Sequence, residues 1–272
     1  MQNIITSFLY GVLAALSFVL GCFLLWKQAK KEDLQVDLVF DLMFFMVISA
    51  IGVGRLFFIL EHFEVFSQDF FRWIHFIRYP GISANGAFFG SLVVGLIFLM
   101  RKKVRVFTYL DILVFPLLYV QLFLGVGCLI NGCVVGAKTF PNFGLKTPLF
   151  AVHPLALYYI AAILFFIILF KKLKEKKWFE FLAASIVKEE AEKKTKGLMF
   201  LCYILLYCLL NFILEYLFRN ALYFKNFNLR LLFNLFTFIL CAGLFLIRLG
   251  PNWIKRLLIT KLKEKNNVQT TK

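Results

Sequence analysis

The sequence predicts an all-α integral membrane protein: one polytopic domain over residues 1–272, seven transmembrane helices, the N-terminus outside and the C-terminus in the cytoplasm. Three observations carry this. Of 272 residues, 61% are hydrophobic and 36 are phenylalanine, whereas a soluble domain is nearer one half apolar. Seven apolar stretches approach the roughly 20 residues needed to cross about 30 Å of hydrocarbon. The connecting segments alternate in charge, with 23 basic residues on one side, 7 on the other and Arg55 inside a span. Lysine and arginine collect in cytoplasmic loops, which fixes the orientation. The same asymmetry absorbs most of the net charge of +16, so the excess does not point to nucleic acid.

The stretches run over 4–26, 38–59, 86–100, 109–130, 154–170, 198–218 and 229–249. No positive charge precedes the first, and its basic cluster (Lys27, Lys30, Lys31) follows it. It is therefore expected to stay as a span and not be removed as a signal peptide. Between the second and third stretches, an outer-face segment of about 61–85 places Phe63, Phe66, Phe70, Phe71, Trp73, Phe76 and Tyr79 among Asp69, Arg72, His75 and Arg78. It is too charged to cross, and predicts an interfacial amphipathic helix. His62 and His75 in it are expected to meet headgroups. After the fifth stretch, about 171–197 mixes lysine and glutamate around Trp178, Phe179 and Phe181, a cytoplasmic amphipathic loop. A basic cytoplasmic tail of about 250–272 closes the chain. The lysines of the 171–197 loop are expected to signal topology and to meet anionic headgroups.

With that topology, Tyr10, Arg55, Asn85, the run from Gly125 to Gly136, His153 and Arg219 all fall in the outer half of the membrane or just beyond it. Arg55 follows Gly52-Val53-Gly54 near the outer end of the second stretch. Two readings stand: it snorkels to the interface, or it faces a protein cavity and binds a phosphate or carboxylate. Arg219 has the same two, and a helical pairing with Glu215 as a third. His153 precedes Pro154, which suits a first helical turn; the imidazole either meets water or serves as a base at a cavity mouth. Asp111 is expected to favour the start of its own helix.

The run Gly125-Val126-Gly127-Cys128-Leu129-Ile130-Asn131-Gly132-Cys133-Val134-Val135-Gly136 interrupts a phenylalanine- and leucine-rich chain with residues that gain little from lipid. Asn131-Gly132 suits a turn, and backbone bared by glycine at membrane depth requires protein or a water-filled cavity around it. Cys128 and Cys133 stand five residues apart and point to different faces unless the helix has ended between them. No companion ligand at zinc spacing accompanies them, so no metal is implied.

Taken in order, these motifs resemble the prolipoprotein diacylglyceryl transferase family. Tyr10-Gly11 resembles its Tyr-Gly, and Gly54-Arg55 its Gly-Gly-Arg. Gly81-Ile82-Ser83-Ala84-Asn85-Gly86-Ala87-Phe88-Phe89-Gly90 resembles a run containing His-Gly-Gly-Leu-Ile-Gly. Asp111, Pro116 and the Gly125–Gly136 run resemble the signature Gly-Arg-x-Gly-Asn-x-x-Asn-x-Glu-x-x-Gly. His153-Pro154 with Leu157-Tyr158 resembles His-Pro-x-Gln-Leu-Tyr-Glu, and Phe218-Arg219 a Phe-Arg. The sequence departs from the pattern where Asn85 stands for histidine, Leu124 for glycine, Gly125 for arginine, Cys128 for asparagine, Cys133 for glutamate and Tyr159 for glutamate.

The resemblance implies a multi-pass protein of the bacterial inner membrane. Its activity would move a diacylglyceryl group from phosphatidylglycerol to the lipobox cysteine of a prolipoprotein signal peptide, at the outer leaflet and without a cofactor. It implies His153 as base and Arg219 as catalytic cation. Arg55 would share in binding phosphate, Lys138 would help from outside, and Tyr10 would bind phosphate. Asn85 and Asn131 would orient glycerol or ester oxygens, and Gly132, Gly136 and Tyr158 complete the expected substrate-binding set. The absent arginine and histidine leave a second expectation, a non-enzymatic binder of lipid or of a signal segment.

Overall fold

A computed structural model describes residues 4–67, 70–75, 79, 81–133, 136–139, 145–146, 151–175, 196–217, 223–224 and 227–249. The helices are α1 (Ile4–Lys31), α2 (Val36–Glu61), α3 (Phe63–Phe66), α4 (Phe71–Ile74), α5 (Ala84–Arg101), α6 (Val106–Asn131), α7 (Leu155–Glu175), α8 (Leu198–Tyr216) and α9 (Leu229–Leu249). All seven predicted stretches are helical. By length and composition six can cross a membrane, α1, α2, α5, α6, α7 and α8; the apolar part of α9, Leu231–Ile247, is shorter. The chain is thus an α-helical, multi-pass membrane protein. The predicted cytoplasmic loop contains the end of α7 and Gly197, the residue before α8, while its 176–195 portion and the tail from 250 lie outside the described residues.

Two antiparallel pairings organise the bundle, α1 with α6 and α2 with α5. Lipid tails are as apolar as leucine, so helices in a membrane associate through close packing and a few polar contacts. Gly86 of α5 lies on Phe57 of α2 and Gly90 on Val53, where a Cβ would collide. Ser49 Oγ adds a hydrogen bond to the Gly90 carbonyl at 2.8 Å. In the other pair Gly21 of α1 meets Val120 of α6. Helices α6 and α8 supply much of the core, with Leu113, Val114, Leu118, Tyr203, Ile204 and Cys208 buried. Tyr207 stacks near Phe88 of α5, ring centroids 4.4 Å apart.

Three expectations are corrected. The outer segment is not one interfacial helix: α3 and α4 are single turns of four residues each. Its backbone is opened because carbonyls that a continuous helix would occupy internally are turned to Arg55. His62 and His75 bond back to their own turns, through Nδ1 to the Phe58 and Phe71 carbonyls at 3.0 and 2.7 Å. Asp111, sixth residue of α6, caps a different helix. Its carboxylate accepts from the backbone N–H of Gly197 at 2.5 Å and of Phe200 at 3.0 Å, at the start of α8. Finally, two-residue ladders join the helices: β1 (Lys138–Thr139) and β2 (Leu145–Lys146) flank β3 (Ala151–Val152), and β4 (Tyr223–Phe224) pairs with β5 (Phe227–Asn228), all antiparallel.

Candidate functional site

At one end of the bundle lie the N-termini of α1, α5 and α7 and the C-termini of α2, α6 and α8. The predicted site residues gather there in two groups.

The first belongs to α1, α6 and α7. Helix α6 ends at Asn131 because Gly132 adopts a left-handed conformation, φ 64° and ψ 35°, which glycine reaches without a Cβ penalty. The Cys133 N–H then bonds back to the Cys128 carbonyl at 3.1 Å, the six-to-one closure of a Schellman turn. This folding brings the two thiols into contact, with neither in a disulfide. The Asn131 amide also reaches the Cys133 sulfur, at 3.9 Å. Hydrogen bonds from the Cys128 thiol and then from Asn131 stabilise the Cys133 thiolate and hold its pKa down to about 7, against the smaller upward effect of partial burial. Tyr10 lies within electrostatic reach of both sulfurs. It packs on Gly127, where a Cβ would stand 3.0 Å from its ring.

Gly125, at the position of the family's arginine, is buried against α7: a Cβ would stand 3.1 Å from Ile160 Cγ1 and 3.4 Å from Tyr159 Cδ1. This residue is a contact between α6 and α7. Beyond the turn, Gly136 lies directly on the His153 backbone with no room for a side chain. The His153 N–H donates to the Ala137 carbonyl at 3.1 Å, and Lys138 pairs with Val152 in the β1–β3 ladder. His153 Nδ1 is 3.3 Å from the Tyr158 hydroxyl, one turn into α7. The Ala137 N–H donates to the Leu217 carbonyl at 2.7 Å. Gly136, Lys138, His153 and Tyr158 thus form one assembly tied to the end of α8. Arg219, two residues beyond Leu217 in sequence, lies outside the described residues.

The second group is the α2–α5 pair. Arg55 is 4% exposed and does not snorkel. Its Nε donates to the Trp73 carbonyl at 3.1 Å, Nη1 to Tyr79 at 2.7 Å and Gly81 at 3.0 Å, and Nη2 to Arg72 at 3.1 Å. The rings of Phe66 and Phe58 flank it, 5.2 and 5.6 Å away. A guanidinium has five N–H donors, so most of this one is committed to the loop's backbone. Asn85 stands in the first turn of α5, whose N-cap is Ser83. Ser83 donates to Glu61 Oε1 at 2.9 Å, and its backbone N–H bonds Gly54 at 3.0 Å.

Sequence reasoning missed Ser83 and Asn234. The latter is 1% exposed in α9, and neither side-chain atom has a hydrogen-bond partner among the described residues. An asparagine in an apolar stretch was the available signal. Among the described residues no group of three metal-ligating side chains is assembled.

Comparison with known proteins agrees with these features. A sequence model described as prolipoprotein diacylglyceryl transferase matches residues 4–247. A phosphatidylglycerol–prolipoprotein diacylglyceryl transferase of Thermoanaerobacter sp. (strain X514) is 31% identical over 136 residues, 50% of this chain and 52% of that one. The chain thus spans about half the length of this relative. Others are matched more fully: a protein of Clostridium perfringens (strain 13 / Type A), named phosphatidylglycerol–prolipoprotein diacylglyceryl transferase 1, is 27% identical over 236 residues, 85% of this chain and 86% of its own. A Listeria welshimeri serovar 6b relative, named as a phosphatidylglycerol–prolipoprotein diacylglyceryl transferase, is 24% identical over 246 residues, 88% and 84%. With the family model covering most of the chain and the signature's glycines and asparagine at the turn that ends α6, the chain belongs to the prolipoprotein diacylglyceryl transferase family.

Proposed function

We propose that this protein transfers a diacylglyceryl group from phosphatidylglycerol to the lipobox cysteine thiol of a prolipoprotein signal peptide. The reaction takes place at the outer leaflet of the bacterial inner membrane. All seven apolar helices cross in this reading, with the N-terminus outside and the C-terminus inside, as the basic asymmetry of the loops favours. The observation that carries the function is the convergence of Tyr10, Asn131, Gly136, His153 and Tyr158 at one bundle end in a chain of this family.

The chemistry needs a base and a cation. When His153 Nδ1 carries the proton and donates to the Tyr158 oxygen, Nε2 is left to accept the proton of the client cysteine. The thiolate attacks the glycerol carbon that bears the phosphate ester. A C–S bond forms, the C–O bond breaks, and its electron pair leaves on glycerol phosphate. Arg219, with Lys138 outside it, meets the developing phosphate charge. Tyr10 binds phosphate, and Asn131 and Asn85 orient the glycerol and ester oxygens. Gly132 and Gly136 set the backbone that presents them. Arg55 contributes by holding the outer loop.

The test is rescue of a strain depleted of its own diacylglyceryl transferase, with mass spectrometry of a client lipoprotein. A thioether-linked diacylglyceryl group on the lipobox cysteine is expected. A well-expressed protein that leaves the client unmodified overturns the enzyme in favour of a lipid or signal-segment binder.

A further inference from the structure

We infer that Cys128 and Cys133 form a dithiol–disulfide site, a covalent modification site at the outer end of α6 that opens and closes by exchange with small-molecule disulfides. The argument begins with the spacing. In an unbroken helix a five-residue offset turns two side chains roughly 140° apart and separates them by about 7.5 Å along the axis, too far and too divergent for a disulfide. Here the helix stops between them. Gly132 at φ 64° reverses the chain, and the Cys133 N–H bond to the Cys128 carbonyl at 3.1 Å pins the two backbones together. The thiols are then hydrogen-bonded to each other. The link encloses only four residues, so little chain has to be ordered.

The two sulfurs differ in a way that gives the exchange a direction. Cys133 is exposed and Cys128 is half-buried beneath it. The Cys133 thiol has its pKa held down to about 7, and the thiolate is the form that attacks. In the first step the Cys133 thiolate attacks one sulfur of a disulfide such as oxidised glutathione, forming a mixed disulfide and expelling one glutathione thiolate. In the second, Cys128 gives its proton to solvent and attacks the Cys133 sulfur; the protein S–S bond forms and the second glutathione leaves. Two protein thiols are oxidised and one glutathione disulfide is reduced to two thiols. Use of the site in the cell rests on the outward placement proposed above; its chemistry does not.

The experiment uses the full chain with Cys22, Cys202, Cys208 and Cys241 replaced by alanine, purified in detergent and incubated with oxidised glutathione. Remaining thiols are then capped with N-ethylmaleimide and the intact mass is read. The expected product is two hydrogens lighter than the reduced protein, carries neither glutathione nor maleimide, and regains two maleimide-reactive thiols with dithiothreitol. C128S in the same background is expected to retain one glutathione on Cys133. Retention of glutathione by the parent, or two thiols still open to maleimide, overturns the inference. Should the four-alanine background fold poorly, the unaltered chain gives the same reading from the tryptic peptide between Arg105 and Lys138, which holds both cysteines and no others. On intact cells, failure of a membrane-impermeant maleimide to reach Cys133 overturns the outward placement while leaving the disulfide chemistry standing.

Discussion

Asp111 and Gly197 are 86 residues apart in sequence, and the carboxylate of the first accepts the backbone N–H of the second at 2.5 Å. A helix leaves its first N–H groups without internal partners, and at the start of α8 a side chain of α6 supplies two acceptors. The joint ties the two helices that share the core.

Asp111→Ala is expected to lower stability by about 1–2 kcal/mol, the range for losing an N-terminal cap. Asp111→Asn, which keeps one acceptor oxygen, should lose less. Thermal unfolding in detergent measures the pair; equal melting temperatures for wild type and Asp111→Ala would contradict the joint.

Arg55→Lys is expected to behave as a structural lesion. Four directed N–H bonds become at most three from a rotating ammonium, and Arg55→Ala, which strands the carbonyls, should cost about 3–5 kcal/mol. Limited proteolysis within the outer segment and the melting temperature should change together with transfer activity. An Arg55→Lys protein with wild-type stability and little activity would return the residue to phosphate binding.

Gly125→Arg restores the family's residue and is expected to damage this protein. The site faces Ile160 and Tyr159 of α7, where even a Cβ would stand 3.1 Å from Ile160 Cγ1, and overpacking by a long side chain costs about 1–3 kcal/mol or more. A lower melting temperature with no gain in transfer is the expected result; higher activity at unchanged stability would show that α7 yields.

The thiol of Cys133 should titrate with a midpoint of about 7, visible as the pH dependence of its rate of alkylation by iodoacetamide. In C128A the midpoint should move up toward that of an ordinary cysteine, because the first stabilising donor is gone. An acid whose folded pKa lies below its unfolded value stabilises the fold above the unfolded pKa. The contribution is therefore complete above about pH 9 and lost as pH falls through 7.

The helices were legible because an apolar stretch in lipid must close its backbone hydrogen bonds internally, and six of these helices are long and apolar enough to cross. The end of α6 was legible for a local reason, since Asn131-Gly132 is a turn wherever it stands. Arg55 and Asp111 were visible as charges in apolar surroundings, but their partners were not. Those partners are backbone groups of distant residues, and a carbonyl or N–H carries no sequence signal. The outer segment failed for the same cause: its aromatic and charged pattern suits an amphipathic helix, and a buried guanidinium outbids that helix for its carbonyls. Gly125 was visible as a departure from the family's arginine, but its neighbours Tyr159 and Ile160 on α7 were not.

The cage around Arg55 bears on how the segment between α2 and α5 can move. Each of its four bonds joins a charged donor to a carbonyl, and such bonds contribute about 1.5–3 kcal/mol apiece. Swinging the segment between α2 and α5 aside would break them together inside an apolar setting. The carbonyls of Arg72, Trp73, Tyr79 and Gly81 are thereby fastened to α2 through one side chain, and they shift with that helix as a unit.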